Sequence, residues 1–168
     1  MSKIVVLIGP NGVGKSTIGR ILAKNFSGCF ISIEEFFLER YPTLDQYRAN
    51  KDGAYAQLEA HIRERHIACQ QPIIFEEVGL SEHAQRLVHN LAYDFNVLCC
   101  KVMANRLLCA DRVAQRGLQH SYPKAPGMLK HVYQDFVARS DGLYAFDLEI
   151  INESLSEAEI CAYFQPYF

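Results

Sequence analysis

An unbroken apolar run, Ile4-Val5-Val6-Leu7-Ile8, passes directly into Gly9-Pro10-Asn11-Gly12-Val13-Gly14-Lys15-Ser16-Thr17, and a helical apolar pattern begins immediately afterwards. A short run with no polar side is the mark of a strand covered on both faces, which demands helices above and below it. The turn that follows is suited to an anion. Several backbone N–H groups can point into one concavity only where glycine permits tight turns and close approach. Lys15 then reaches toward terminal phosphates, the Ser16 hydroxyl is placed to ligate magnesium, and the positive end of the next helix dipole lies beside both. The spacing predicts Gly9, Asn11, Gly12, Val13, Gly14, Lys15, Ser16 and Thr17 as a cradle for a nucleoside triphosphate.

Strand and helix signals alternate along the rest of the chain. Ile18, Ile21, Leu22, Asn25 and Phe26 recur at helical spacing up to Ser27-Gly28, and Cys29 to Ile33 reads as the second strand. Tyr41-Pro42 breaks any helix there, after which Ala54, Tyr55, Leu58 and Ile62 mark a helix running to about Ala68. Ile73-Ile74-Phe75 is a third strand, and Ala84, Leu87, Val88, Leu91 and Ala92 stripe the next helix. Residues 96–103 supply a fourth strand, 128–137 a helix, 148–151 a fifth strand, and 155–164 a closing helix. Such an order predicts an α/β fold with a mainly parallel sheet, which binds ligands beyond the carboxyl ends of its strands.

Composition narrows the partners. No linker or repeat divides the 168 residues, so one domain is expected, and 17 lysines and arginines against 19 acids give no electrostatic reason for nucleic-acid or anionic-membrane binding. No apolar stretch has membrane-spanning length and the first apolar run lacks a signal-peptide layout, so a cytoplasmic location is expected. The six cysteines show no CxxC spacing and read as buried thiols rather than a disulfide or zinc framework. His61, His66 and His83 read as solvated helix residues. A small-molecule partner follows.

The strand ends then locate candidate chemistry. Carboxylates leaving the second and third strands enter the crevice that holds Lys15 and Ser16, where a carboxylate can accept a hydroxyl proton or order a magnesium shell. Glu34 or Glu35 is the candidate base, and Glu76 the candidate metal-side carboxylate. Arg112 and Arg116, four residues apart on one helical face, are candidates to neutralise a transferring phosphoryl group. Gly117, Pro123, Pro126 and Gly127 bracket a segment able to move, which makes 105–127 a candidate lid.

Taken in order, GPNGVGKST, SIEEFF after the second strand, PIIFEEVGL at the third and ADRVAQRG in the lid resemble the P-loop kinases of small molecules, the superfamily of shikimate kinase, gluconate kinase, chloramphenicol phosphotransferase and the nucleoside monophosphate kinases. The resemblance covers nearly the whole chain. It implies a three-layer P-loop NTPase fold whose five parallel strands take the order 2-3-1-4-5 with helices on both faces. It also implies ATP and Mg2+ as cofactors and transfer of the γ-phosphoryl group to a hydroxyl of a small molecule. An aspartate commonly stands in the position of Glu34 and takes the acceptor proton. Arg112 is similar to a lid arginine packing on adenine or phosphates, Arg116 to one meeting the transferring group, and Asn152, Glu153 and Ser154 to the loop edging the adenine.

Departures from the superfamily pattern are informative. Glu77-Val78-Gly79-Leu80 replaces the Gly-Phe-Pro-Arg-like stretch of monophosphate kinases, which disfavours a nucleoside monophosphate acceptor. Residues 36–55 are the expected acceptor pocket, where Arg40 and Arg48 could hold an anionic group near Tyr41 and Tyr47. A GTPase is disfavoured because no Asn-Lys-x-Asp sequence is present to read guanine. A nucleotide-binding regulatory protein without turnover is the other alternative.

Overall fold

The computed structural model describes residues 3–116, 122 and 127–168. Its five strands, β1 (Ile4–Ile8), β2 (Cys29–Ile31), β3 (Ile73–Glu77), β4 (Val97–Met103) and β5 (Leu148–Ile151), form one all-parallel sheet in the order β2-β3-β1-β4-β5. The expected order and helix-covered layers are therefore present. Between the strands run α1 (Lys15–Asn25), α2 (Ile33–Arg40), α3 (Leu44–Ala49), α4 (Lys51–Cys69), α5 (Glu82–Asp94), α6 (Arg106–Arg116) and α7 (Met128–Leu143), and α8 (Glu157–Phe164) follows β5.

Side chains alternate across the sheet, and the two faces carry separate cores. On one face Ile4, Val6, Ile8, Ile73 and Phe75 pack against Phe36 and Phe37 of α2, Leu58 and Ile62 of α4, and Leu87 and Leu91 of α5. On the other, Val5, Leu7 and Ile74 meet Ile18 and Leu22 of α1 and Ile160 and Phe164 of α8. The same alternation, continued to the end of β3, sends Glu76 to the α1 side and Glu77 to the α4 side. Phe75 is wholly buried. Phe75→Ala is expected to cost about 3–5 kcal/mol of stability, read as a lowered denaturation midpoint at unchanged slope.

Several local expectations are corrected. The second strand ends at Ile31 rather than Ile33, because the Ser32 hydroxyl accepts the Glu35 N–H (3.4 Å) and starts α2. Glu34 and Glu35 thus sit in a first helical turn, where acids complement the helix dipole, instead of at a strand exit. Helix α3 was not expected, although Thr43 and Gln46 form a reciprocal capping box at its start. Strand β3 extends two residues beyond Phe75, and α7 reaches Leu143.

His66 is not solvated. It continues the row Leu58, Ile62 by one more i+4 step, is 8% exposed, and meets the Phe95 ring edge-on at 4.7 Å. Burial lowers its pKa. His61 lies against Phe36, and His83 shares a 2.9 Å hydrogen bond with Asp52. Cys99, Cys100 and Cys109 are buried free thiols, as expected, whereas Cys29 and Cys161 are free thiols only partly buried. No helix among the described residues is long and apolar enough to cross a membrane.

Candidate active site

The cleft lies where β1 and β3 end, at the carboxyl edge of the sheet. Two glycines shape its rim. Gly12 (φ 87°) lies so close to the Cys109 backbone, and Gly14 (φ 96°) so close to the Asn152 side-chain amide, that a Cβ at either would collide. Gly14 serves as the left-handed N-cap of α1 and offers no side-chain acceptor to its first turn, so those amides face the cleft with capacity for an anion.

Lys15 is 7% exposed and donates to the Gly9 (2.7 Å) and Pro10 (3.0 Å) carbonyls. Burial lowers its pKa, opposed by Glu76, Glu34 and Glu77 in that order. Beside it, the Ser16 hydroxyl lies 2.8 Å from both Glu76 oxygens, a contact that fixes the last turn of β3 to the first turn of α1. A hydroxyl next to a carboxylate is an all-oxygen donor pair, which fits a hard cation such as Mg2+. Among the described residues no cluster of three or more His, Cys, Asp or Glu could hold a metal ion. Any such ion here would take its remaining ligands from phosphate and water.

Opposite these groups the cleft is closed by Ile33, Glu34 and Phe37 from α2, Tyr47 from α3, Tyr55 from α4, Val78, and Tyr122, and Arg116 at the end of α6 also lines it. The cleft is partly open, and its space, solvent at the mouth included, is about 740 Å³. Glu77 completes the floor. Its carboxylate accepts the Tyr55 hydroxyl (2.9 Å) and the Val78 N–H (2.8 Å), while burial pushes its pKa up.

Arg112 and Asn152 hold the cradle from behind. The guanidinium donates to the carbonyls of Gly12 (3.3 Å), Asn152 (3.0 Å) and Glu153 (2.8 Å), tying α6 and the segment after β5 to the loop. The Asn152 amide donates to Val13 O at 2.8 Å and is itself buried. Asn152→Ala is expected to strand that buried carbonyl at a cost of about 1–3 kcal/mol, measurable as a lowered melting temperature with weakened nucleotide binding.

The AAA domain family (AAA_33) matches residues 4–133, which include the phosphate loop, the first four strands and α6. The chain belongs to this family, within the P-loop kinase superfamily. Over 96 residues it is 30% identical to a shikimate kinase of Oceanobacillus iheyensis; that match covers 56% of this chain, and the chain spans about half (51%) of the length of this curated relative. A kinase-like protein of Chloroflexus aurantiacus shares the fold at a TM-score of 0.72 and 17% identity, covering 99% of this chain and 98% of its own. A deoxyadenosine kinase of M. mycoides with bound dCTP does so at 0.57 and 13%, covering 97% of each chain. Solved kinases named for different acceptors, shikimate and deoxyadenosine, thus share this P-loop kinase fold.

Within this P-loop kinase framework the residues singled out in the sequence separate into groups. Asn11, Gly12, Gly14, Lys15, Ser16, Glu34, Glu76 and Arg116 converge on the cleft. Gly9 contributes its carbonyl to Lys15, Val13 is packed in the core, and Thr17 is exposed on α1. Glu35 turns away, its carboxylate 3.6 Å from Arg20. Arg40 lies over the Phe36 ring at 3.6 Å and Arg48 is exposed, so neither is among the lining residues. Of the proposed lid, α6 is present as a helix and Gly127 opens α7 in a left-handed conformation; Gly117, Pro123 and Pro126 lie outside the described residues.

Phe37, Tyr47 and Tyr55 of the 36–55 stretch expected to form the acceptor pocket line the cleft, whereas sequence reasoning missed Glu77 and Tyr122 as cleft residues. Glu77 was detectable in principle, since strand alternation from Phe75 places it on the opposite face from Glu76. Tyr122 carried no signal, because a single tyrosine in a Pro- and Gly-bounded segment has no periodicity.

Proposed function

We propose that the chain is an ATP-dependent phosphotransferase that moves the γ-phosphoryl group to a hydroxyl of a small molecule. The observation that supports this reading best is the polarity of one cleft: the phosphate loop with Lys15 and the Ser16–Glu76 pair form one end, and Glu34 with a largely aromatic wall forms the other. Arrangements of this kind catalyse phosphoryl transfer almost wholly by positioning and charge neutralisation.

In this reading Glu34 accepts the proton of the acceptor hydroxyl. The freed oxygen forms a bond to the γ-phosphorus as the bond from that phosphorus to the β–γ bridging oxygen breaks, and the electron pair leaves with ADP. Lys15 and Arg116 neutralise charge on the phosphoryl oxygens, while Ser16 and Glu76 would hold Mg2+, directly or through its water. When bound, that ion would draw charge from the phosphate oxygens. Glu34 is favoured over Glu35 as base because Glu34 lines the cleft and Glu35 is directed to Arg20.

Screening metabolite and antibiotic alcohols for ADP release, followed by mass spectrometry of the phosphorylated product, tests the proposal. A hit that requires ATP supports it. ATP binding with no acceptor-dependent ADP release across the panel would favour a nucleotide-binding regulatory protein without turnover.

A further inference from the structure

The acceptor end of the cleft has a chemical bias that the phosphate end lacks. Four aromatic side chains, Phe37, Tyr47, Tyr55 and Tyr122, line it together with Glu34 and Glu77. The rings form a continuous group: Phe37 is 4.9 Å from Tyr47 and 5.2 Å from Tyr55, and Tyr47 stacks on Tyr122 at 5.3 Å. Among the described lining residues the only cations are Lys15 and Arg116, which belong to the phosphate end.

Two hydroxyls of this wall donate to acceptors of the protein itself. Tyr55 gives its hydroxyl proton to Glu77 (2.9 Å), and Tyr122 gives its own to the Tyr41 carbonyl (2.6 Å). The Tyr55 oxygen also meets the Ser81 and Tyr47 side chains, while the Tyr122 oxygen and the Glu34 and Glu77 carboxylates have lone pairs able to accept from a ligand. A surface of acceptors and aromatic rings is complementary to a group that only donates and carries positive charge. It is a poor surface for an anion, whose charge would lie near two carboxylates, Glu34 and Glu77.

From this wall, and resting on the phosphotransfer reading above, we infer that the acceptor is a cationic alcohol, an amino-substituted polyol whose ammonium group is held by Glu77 among Phe37, Tyr47, Tyr55 and Tyr122 while a hydroxyl faces Glu34. Glu77 is then a specificity-determining residue. Burial of its carboxyl supports this role, because an ammonium partner adds to the Tyr55 and Val78 hydrogen bonds in compensating a buried charge.

Three ring alcohols of similar size but different charge test the inference: deoxystreptamine (cationic), myo-inositol (neutral) and shikimate (anionic). Binding is measured by calorimetry and turnover by ADP release. Deoxystreptamine is expected to bind at least about tenfold more tightly than myo-inositol, with shikimate weakest. Glu77→Gln is expected to bring the deoxystreptamine-to-inositol ratio to about unity, and Glu77→Asp to restore part of it. If Glu77→Gln fails to fold by circular dichroism, Tyr55→Phe serves in its place, since it removes an acceptor oxygen but keeps the ring.

Preference for myo-inositol or shikimate, a ratio unmoved by the variant, or no binding of any of the three overturns the inference. Glu77-dependent binding of deoxystreptamine without ADP release leaves the ligand assignment standing and overturns phosphotransfer instead. ADP release that favours a neutral or anionic alcohol does the reverse.

Discussion

Lys15→Ala is expected to lower acceptor-dependent ADP release by at least about a thousandfold, because it removes a buried cation of the cleft where negative charge gathers during transfer. The ammonium already bridges the Gly9 and Pro10 carbonyls, so it is positioned by the same loop whose amides face the phosphates. Glu76, Glu34 and Glu77 all favour its charged form, although burial outweighs them and lowers the pKa. A Lys whose folded-state pKa is lowered costs stability below that value, and the cost disappears as pH rises through the folded and then the unfolded pKa. Removing the charge therefore relieves a desolvation cost, and the variant should remain folded at neutral pH. Circular dichroism melts alongside ADP-release assays separate the two effects. A folded Lys15→Ala protein with undiminished turnover would take the loop out of the reaction.

How far the sequence led depends on the range of the interaction concerned. Strand β1, the loop and α1 are contiguous, so local pattern suffices for them: an apolar run, glycines where φ is positive, and an apolar stripe of Ile18 and Leu22. Sheet order followed from the superfamily resemblance rather than from any residue pattern. The Ser16–Glu76 contact joins residues 60 apart, and it was anticipated only because both lie at the carboxyl edge of a parallel sheet. Arg112 and Asn152 were expected to contact nucleotide. In the structure they hold the loop's own carbonyls, an arrangement set by the approach of α6 and β5 that spacing does not encode.

The choice between Glu34 and Glu35 shows the limit most clearly. Read as a strand exit, the two neighbours would point to opposite sides, with nothing to say which side faced the loop. The cap at Ser32 turns them into adjacent positions of a helical first turn, about 100° apart around the axis, and only one can face the cleft. Helix α2 is oriented by Phe36 and Phe37, both buried in the sheet core, and their burial decides which glutamate it is. The deciding information lies in the tertiary packing of a residue pair two positions away.

Glu34→Gln tests that conclusion with the second large effect. The amide keeps the size of the side chain and loses the capacity to accept a proton, so phosphoryl transfer is expected to fall by about a hundredfold or more. Because Glu34 lies across the cleft from Lys15 and Ser16, affinity for ATP, measured by fluorescence titration in the absence of acceptor, should change little. The deficit should therefore appear mainly in kcat, as for an interaction made in the transition state. Glu35→Gln is the internal control: its carboxylate pairs with an exposed Arg20, an arrangement worth at most about 1 kcal/mol to stability and nothing to proton transfer. A large kcat loss in Glu35→Gln with a normal rate in Glu34→Gln would reverse the assignment. Normal rates in both would require that the acceptor hydroxyl lose its proton to the phosphate oxygens or to water, leaving Glu34 only to orient the alcohol.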